Sequence, residues 1–487
     1  MKKLALLILL IGITMANIYA KVRYQKITIN TDSQNEIYID GELAIPEGGK
    51  YLLAKNQKTH TIVAKREGYK DEVVCAVPYQ SNGYFYPISY EVGLNMTKLP
   101  AKLDDAKNLR VNNVAVDLKN EKNKIRIFSD YNKYLKRNER QEAISREKEE
   151  DIEYDNTIFS YNLNEFLKST GFIDTSDNVF KDGYLDNLIT DINVTEYTYH
   201  RAPAHQYYNY GGMLYVELKA TWTLKDIYGI ELYTTEAHVK SGYFGYESND
   251  KITEVAQNAI TDALTSGLIG FMEDATVRKA LKDKSDIEKE NSVSTLNLNT
   301  GGAFASSLND VIKSSVTIKA DDSHGSGFII SSDGYIVTNY HVIADAEKLT
   351  VVTNSQEEHQ VKIVRVSKVA DLALLKIDAS GFLPIQISSS NDIEIAADIY
   401  AVGTPKAADL NQTVSKGIIS GIRKAGNNLK LIQTDASINS GNSGGAMVNS
   451  NGVALGVVSA KLFGFGVEGV GFGIPSYEVL SRLKVVQ

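Results

Sequence analysis

The chain has 487 residues, 43% of them hydrophobic, a formal net charge of −8 and a single cysteine. A chain of this length buries more than one core, so roughly three domains are expected, and an acidic balance without a basic field excludes nucleic acid as a partner. One cysteine allows no intrachain disulfide, so the cores alone hold the fold, and Cys75 reads as a free, buried thiol.

At the start of the chain, Lys2 and Lys3 precede an apolar run from Leu4 to about Met15, followed by a short polar stretch ending at Ala20. This is the layout of a signal peptide over residues 1–20, removed near Ala20, and it makes the mature protein secreted or periplasmic. The apolar core is shorter than the roughly 20 residues of a membrane span, and no later stretch is long and apolar enough to cross. An uncleaved anchor is the alternative reading. No cysteine stands near the cleavage site, so lipid attachment is not signalled.

Residues 21–100 alternate in short runs, Ile27-Thr28-Ile29, Ile37-Tyr38-Ile39 and His60-Thr61-Ile62-Val63, whose period of two predicts half-buried strands. Turn signals at Asp40-Gly41, Pro46-Glu47-Gly48-Gly49 and Gly68-Tyr69 separate them, which suits a small β-sandwich. With Lys70, these runs and turns loosely resemble the PEGA-type domains of bacterial surface proteins, a resemblance that names no activity. Residues 101–156 are crowded with both charges, most densely at Lys136-Arg137-Asn138-Glu139-Arg140 and Arg146-Glu147-Lys148-Glu149-Glu150-Asp151, and read as a charged helical spacer.

Residues 157–275 predict an α+β domain of unassigned function. Met213 to Leu224 and Ile230 to Val239 read as strands paired about a turn near Tyr228-Gly229. Ile252, Val255, Ala256, Ala259, Ile260, Ala263, Leu264 and Leu268 recur at helical spacing, so a helix packs one stripe on that sheet. The loop Tyr207-Tyr208-Asn209-Tyr210-Gly211-Gly212 is a recognition surface or an ordinary exposed loop. Residues 276–302 pass from charges to Ser, Asn, Thr and Gly and read as a flexible linker.

From residue 303 to 487 charges thin, glycines multiply and short Val/Ile/Leu strands follow closely, the signature of an antiparallel barrel. Hydrolysis of an amide requires an activated nucleophile, a base for its proton and donors for the oxyanion. Ser443 lies in the turn Gly441-Asn442-Ser443-Gly444-Gly445, where missing side chains let a carbonyl approach the backbone, and the N–H groups of Gly441 and Ser443 are candidates for an oxyanion hole. His341 ends an apolar strand and is the candidate base. Asp371 heads the apolar run Leu372-Ala373-Leu374-Leu375, where a carboxylate needs a partner, and the imidazole of His341 is the natural one. Each residue alone has a structural alternative: a tight turn, a structural histidine, a strand-edge acid. Their conjunction, in the chain order His, Asp, Ser, decides for a chymotrypsin-like arrangement.

The segments Thr338-Asn339-Tyr340-His341-Val342, Asp371-Leu372-Ala373-Leu374, Gly403-Thr404-Pro405, Val414-Ser415-Lys416-Gly417-Ile418-Ile419-Ser420 and Gly471-Phe472-Gly473-Ile474-Pro475-Ser476 resemble the HtrA/Deg-type serine proteases of bacterial envelopes. The resemblance implies two perpendicular β-barrels with the site between them, His341 and Asp371 from the first and Ser443 from the second. It also implies that Ser437 and Ile438 line the specificity pocket, favouring a small or medium apolar residue before the cut, and that Gly464 to Gly473 is the activation loop. Many relatives carry PDZ domains after this region, and the chain ends with no such pattern.

The expected architecture is therefore multidomain and mostly β, a C-terminal double β-barrel of chymotrypsin type preceded by a small β-sandwich and an α+β domain. The expected activity is a serine endopeptidase acting on protein or peptide substrates, with no cofactor and no metal. Envelope or cell-wall partners of the N-terminal domains and a homo-oligomer stay open. The competing reading is a cell-surface binding or scaffold protein whose barrel is inactive or serves a positioned processing role.

Overall fold

The computed structural model describes residues 24–54, 59–76, 80–81, 84–85, 91–94, 96–104, 106–116, 124–127, 156–173, 187–203, 212–247, 252–404, 412–425, 429–439, 441–459 and 470–487. The signal peptide, the densest charge runs between 136 and 151, the tyrosines of 207–210 and residues 464–469 of the expected activation loop lie outside the described residues. Among the described residues, no helix is long and apolar enough to cross a membrane.

The first domain is two small sheets face to face. One carries β1 (Tyr24–Asn30), β4 (Tyr51–Ala54) and β7 (Glu91–Gly93); the other carries β2 (Glu36–Ile39), β3 (Glu42–Leu43), β5 (His60–Lys65) and β6 (Glu72–Ala76). Alternation does the sorting: in β5, His60, Ile62 and Ala64 are buried while the residues between them face outward, so one face of each strand reaches the shared core with Ile27, Ile37, Leu53 and Val74.

The middle domain is a twisted sheet covered by helices. Its strands are β8 (Leu109–Val116), β9 (Lys124–Ile127), β10 (Leu188–Pro203), β11 (Gly212–Asp226), β12 (Glu231–Lys240) and β13 (Phe244–Tyr246), with the path β8-β10-β11-β12. Within the span expected as a charged helical spacer, residues 109–116 and 124–127 are strands, while 128–155 lie outside the described residues. Leu109, Val111 and Val114 are buried, and β8 pairs in parallel with β10 across a bulge after Val111. Helices α1 (Asn156–Ser169) and α2 (Ile252–Glu273) pack on the sheet. Phe159, Leu163 and Leu167 make the buried stripe of α1, and Ala256, Ala259, Ile260, Ala263 and Leu264 contribute that of α2, around Trp222. The first domain docks here: Tyr243 N–H donates to Val73 O (2.9 Å), and the nearly buried Lys70 Nζ lies 2.5 Å from Asp262 Oδ1.

Residues 276–302 are not a flexible linker. They form α3 (Ala275–Lys282), α4 (Ser285–Ser292) and β14 (Leu296–Asn297). Asp274 caps α3 by accepting from Thr276 N–H at 2.7 Å, and Val277 and Leu281 are buried in the middle core. Farther on, the Arg365 guanidinium donates to the carbonyls of Ser294 (2.8 Å), Leu483 and Lys484 (2.7 Å each), holding β14 beside β27 (Val485–Val486). A composition that buries little locally is ordered by partners distant in the chain.

After α5 (Leu308–Lys313) come two closed barrels. The first has β15 (Ser315–Ala320), β16 (Ser323–Ile329), β17 (Tyr335–Thr338), β18 (Leu349–Val352), β19 (Glu358–Ser367) and β20 (Leu372–Ile377), in the order β15-β16-β17-β20-β19-β18. The second has β21 (Asp398–Gly403), β22 (Thr413–Lys424), β23 (Lys430–Thr434), β24 (Ala446–Val448), β25 (Ala454–Val458) and β26 (Gly471–Pro475), in the order β21-β22-β23-β26-β25-β24. Helix α6 (Ser476–Arg482) closes the chain against them. Phe328, Val337, Leu372 and Leu374 of the first barrel share one apolar core with Val402, Leu431, Val457 and Ile474 of the second. The whole is mostly β, with the expected double barrel behind a small sandwich and an α+β domain.

Two outcomes follow from these contacts. Arg365→Ala removes the donor shared by three carbonyls, so stability falls by about 1–3 kcal/mol in urea titrations, and trypsin nicks Lys284 and Lys289 faster. Burial pushes the Cys75 thiol far up, so native protein resists iodoacetamide and reacts only on unfolding; rapid labelling of native protein contradicts the buried site.

Candidate active site

His341 occupies a single 3-10 turn, Tyr340–Val342, that breaks from the end of β17. Asp371 stands at the start of β20, wholly buried, with φ +54°. A non-glycine residue in that left-handed region is held there by its surroundings. They are visible: the Asp371 carbonyl accepts from Asn339 Nδ2 (2.9 Å) and from Tyr340 N–H (3.1 Å), which pins the carboxylate beneath the turn.

One carboxylate fixes the histidine twice. Asp371 Oδ2 lies 2.7 Å from His341 Nδ1, and Oδ1 accepts the backbone N–H of His341 at 2.8 Å. Ser459 Oγ lies 3.5 Å from Oδ2. A carboxylate beside Nδ1 demands a proton on that nitrogen, so in the neutral ring Nε2 is the acceptor. The His341 side chain is 17% exposed against 0% for Asp371, so the ring alone reaches towards solvent. Burial, with nearby carboxylates adding, pushes the neighbouring Tyr340 phenol up to about 12, so it carries no charge beside the pair.

The Ser443 turn is built from the second barrel but stitched to the first. Gly441 and Gly444 hold φ +100° and +84°. Asn442 N–H donates to Asn439 O (3.0 Å), Gly444 N–H to Val458 O (2.9 Å) and Gly445 N–H to Asn442 O (3.0 Å). Ser326 of β16 is the stitch: its N–H donates to the Ser443 carbonyl (2.8 Å), its Oγ donates to the Gly441 carbonyl and accepts from Thr404 N–H (2.7 Å each). The Ser326 carbonyl accepts from Thr338 Oγ1 (2.7 Å), three residues before His341. A side chain at Gly444 would collide with Ser326 O and Thr338 Oγ1, and one at Gly325 would press on Val342 beside the Ser443 carbonyl. The glycines thus allow the turn to lie against the His341 segment.

Of the residues singled out by sequence, His341 and Asp371 are in direct contact, and Ser443, 6% exposed, is tied to the same segment through Ser326. Ser437 is exposed, its carbonyl accepting from Ser415 Oγ (2.7 Å); Ile438 is 8% exposed, belongs to the second barrel's core and sits against Gly471. Gly471 to Gly473, the described end of the expected activation loop, are part of strand β26. Sequence reasoning missed Ser326, Thr338, Asn339, Thr404 and Ser459. Thr338, Asn339 and Thr404 stand inside motifs quoted above, whereas Ser326 and Ser459 stand in none. Among the described residues, no group of three or more His, Cys, Asp or Glu side chains is arranged to hold a metal.

Ser326→Ala deletes the hydroxyl that joins Gly441 to Thr404. Turnover is expected to fall on the order of 10-fold to 100-fold through misplacement of the turn, with the melting transition little changed. Gly444→Ala is expected to be the harsher change, because it requires Ser326 and Thr338 to move.

Residues 325–457 match the trypsin-like peptidase domain family. A probable periplasmic serine endoprotease, DegP-like, of Pseudomonas putida is 38% identical over 168 residues, covering 33% of this chain and 34% of that protein. The periplasmic pH-dependent serine endoprotease DegQ of Escherichia coli is 43% identical over 159 residues, 31% of this chain and 34% of that protein. The crystal structure of the serine endoprotease from Yersinia pestis shares 36% identity, covers 37% of this chain and 65% of that one, and gives a TM-score of 0.33. The chain thus spans about a third of the length of these curated relatives. With the double barrel and the seam between its halves, the match makes the C-terminal region of this chain a trypsin-like peptidase domain, similar to those of the HtrA/DegP serine endoproteases.

Proposed function

We propose that this chain is a serine endopeptidase of the cell envelope or exterior that hydrolyses peptide bonds in unfolded or exposed protein segments. The observation that carries the proposal is the double hold of one buried carboxylate on the ring and backbone of His341, on a segment stitched to the Ser443 turn. That arrangement supports a base with a defined acceptor nitrogen beside a nucleophile in a glycine turn.

In the proposed cycle, Nε2 of His341 takes the proton of Ser443 Oγ as the oxygen attacks the scissile carbonyl carbon. The carbonyl oxygen gathers the negative charge, and the N–H groups of Gly441 and Ser443 receive it. Asp371 stabilises the imidazolium through Nδ1–H. The ring then passes its proton to the departing amine, the C–N bond breaks, and an acyl ester on Ser443 remains. Water enters by the same route, giving its proton to Nε2 as its oxygen attacks, and Ser443 regains a proton when the acid leaves. No step calls for a cofactor. Ser437 and Ile438 are proposed to line the pocket before the cut, where the absence of charge favours a small or medium apolar side chain. The segment up to Gly473 is proposed to govern access to the active arrangement. Export after removal of residues 1–20 agrees with the periplasmic names of the relatives, and the two N-terminal domains are proposed to hold the enzyme at envelope or cell-wall material.

Ser443→Ala is expected to lower casein hydrolysis on the order of a million-fold while leaving the circular dichroism spectrum unchanged. A fluorophosphonate probe is expected to label wild type at Ser443 and not the variant. Asp371→Asn, which reverses the polarity of the partner at Nδ1, is expected to cost on the order of 10,000-fold. Casein cleavage that survives Ser443→Ala would falsify the proposal and leave the competing scaffold reading.

A further inference from the structure

Among the described residues, the middle domain reaches the protease domain through a hairpin tip. The hairpin of β11 and β12 turns through residues 227–230 and is braced at its base. Asp226 Oδ1 accepts from Tyr228 N–H (2.9 Å) and from Ile230 N–H (3.0 Å), and Asp226 N–H donates to Ile230 O (3.0 Å). A rigid tip is left carrying Tyr228. Its ring meets Tyr340 edge to face, centroids 4.6 Å apart and planes at 87°, and its hydroxyl donates to the carbonyl of Lys368. Tyr228 packs with the apolar core of the first barrel.

These two partners flank the candidate pair. Tyr340 immediately precedes His341, and its N–H donates to the Asp371 carbonyl (3.1 Å); Lys368 O also accepts the N–H of Asp371 (3.3 Å). One phenol therefore touches both the turn that carries the base and the loop that carries its carboxylate. Helix α4 meets the same loop. Asp286 lies 3.9 Å from Lys368 Nζ, and within the loop Ser367 Oγ accepts from Ala370 N–H (3.2 Å). The loop from Ser367 to Asp371 ends in a left-handed aspartate, a conformation that persists only where its surroundings over-determine it. Part of those surroundings comes from outside the barrel. Burial, and then the Asp371 charge, push the Tyr228 phenol well above its ordinary range, so it keeps its proton and remains a donor to Lys368.

We infer that Tyr228 is a positioning residue for the His341–Asp371 pair, so that the middle domain completes the protease site from outside the double barrel. The inference rests on the peptidase reading above. Tyr228 acts through Tyr340 and Lys368 and touches no substrate. Loss of its hold lets the 367–371 loop relax and the imidazole lose its alignment, which affects the chemical step more than substrate binding.

The test uses the full chain, with fluorescein-labelled casein over a range of concentrations and a fluorophosphonate as a second probe. Tyr228→Phe keeps the ring on Tyr340 and loses the hydroxyl, so kcat is expected to fall about fivefold. Tyr228→Ala loses both contacts, and kcat and the rate of Ser443 labelling are expected to fall on the order of 10-fold to 100-fold, with KM within about twofold of wild type. In the Ser443→Ala background, where no catalysis intervenes, Tyr228→Ala is expected to speed amide hydrogen exchange across 367–371, and Tyr228→Phe to do so less. Wild-type kcat in both variants overturns the inference, as does a rise in KM with kcat unchanged, or exchange that does not respond. If Tyr228→Ala does not fold, the Tyr228→Phe result decides alone. Absence of Ser443-dependent hydrolysis in wild type is the different failure, that of the peptidase reading, and it removes the positioning role with it.

Discussion

A carboxylate with no access to water has to be met by donors, and in this protein that requirement organises the site. Asp371 is wholly buried, and its two oxygens meet the His341 ring, the His341 backbone and the hydroxyl of Ser459. Removing a charge from water costs several kcal/mol unless hydrogen bonds replace the lost hydration. The first barrel supplies two of these contacts and the second supplies Ser459. The carboxylate can therefore stay buried with its oxygens met only if the two barrels meet correctly and the histidine turn closes over it. An aspartate left in the same place with the barrels apart would face solvent and lose the orientation of its partner.

The meeting of the barrels has an apolar and a polar part. Phe328, Val337, Leu372 and Leu374 pack with Val402, Leu431, Val457 and Ile474, which supplies most of the drive to associate but little preference for one alignment. Alignment comes from the buried hydroxyls threaded through the seam. Ser326 reaches Gly441, Ser443 and Thr404, while Thr404 also meets Thr317 at 2.7 Å. Sliding the barrels past each other would break several of these bonds at once inside a dry interface, where unmet polar groups are most expensive. The glycine turn with Ser443 is thereby set against Thr338, on the strand that leads to His341.

How much of this the sequence disclosed depends on how local the cause is. The barrels were legible in short Val/Ile/Leu strands that follow closely, and the His341–Asp371 contact in residue type and chain order. Ser326 and Thr404 carried no such mark, because a small hydroxyl beside a glycine in a strand looks like any polar strand position until its partner across the seam is known. The reading of 276–302 as a tether failed for the opposite reason. Its composition was polar as expected, but α3 buries Val277 and Leu281, and Arg365 secures Ser294 from 71 residues away. Strand β8 was hidden among charges, its Leu109, Val111 and Val114 thrown out of simple alternation by the bulge after Val111. Tyr228 was legible as a turn residue and nothing more, since its role exists only where another domain meets it.

The same contacts bear on how the N-terminal half and the protease domain communicate. The first domain is joined to the middle one by Tyr243 to Val73 and by the Lys70–Asp262 ion pair, and Asp262 also accepts the N–H of Gly242 at 2.8 Å. The middle domain is joined to the Asp371 loop through Tyr228 and through α4. Coupling of this kind is reciprocal: whatever the loop gains in order from the docked hairpin, the hairpin gains in return from an ordered loop. A ligand on the N-terminal domains that binds docked and undocked arrangements equally well would leave the site untouched, however tightly it bound. One that prefers the docked arrangement would stiffen the loop by the margin of that preference and no more. Among the described residues, a signal that passes through the hairpin or α4 is limited by the free energy of a few small contacts: the aromatic edge on Tyr340, the Tyr228 hydroxyl on the Lys368 carbonyl and the Asp286–Lys368 pair. That limit suits graded adjustment of an already assembled site better than an all-or-none switch.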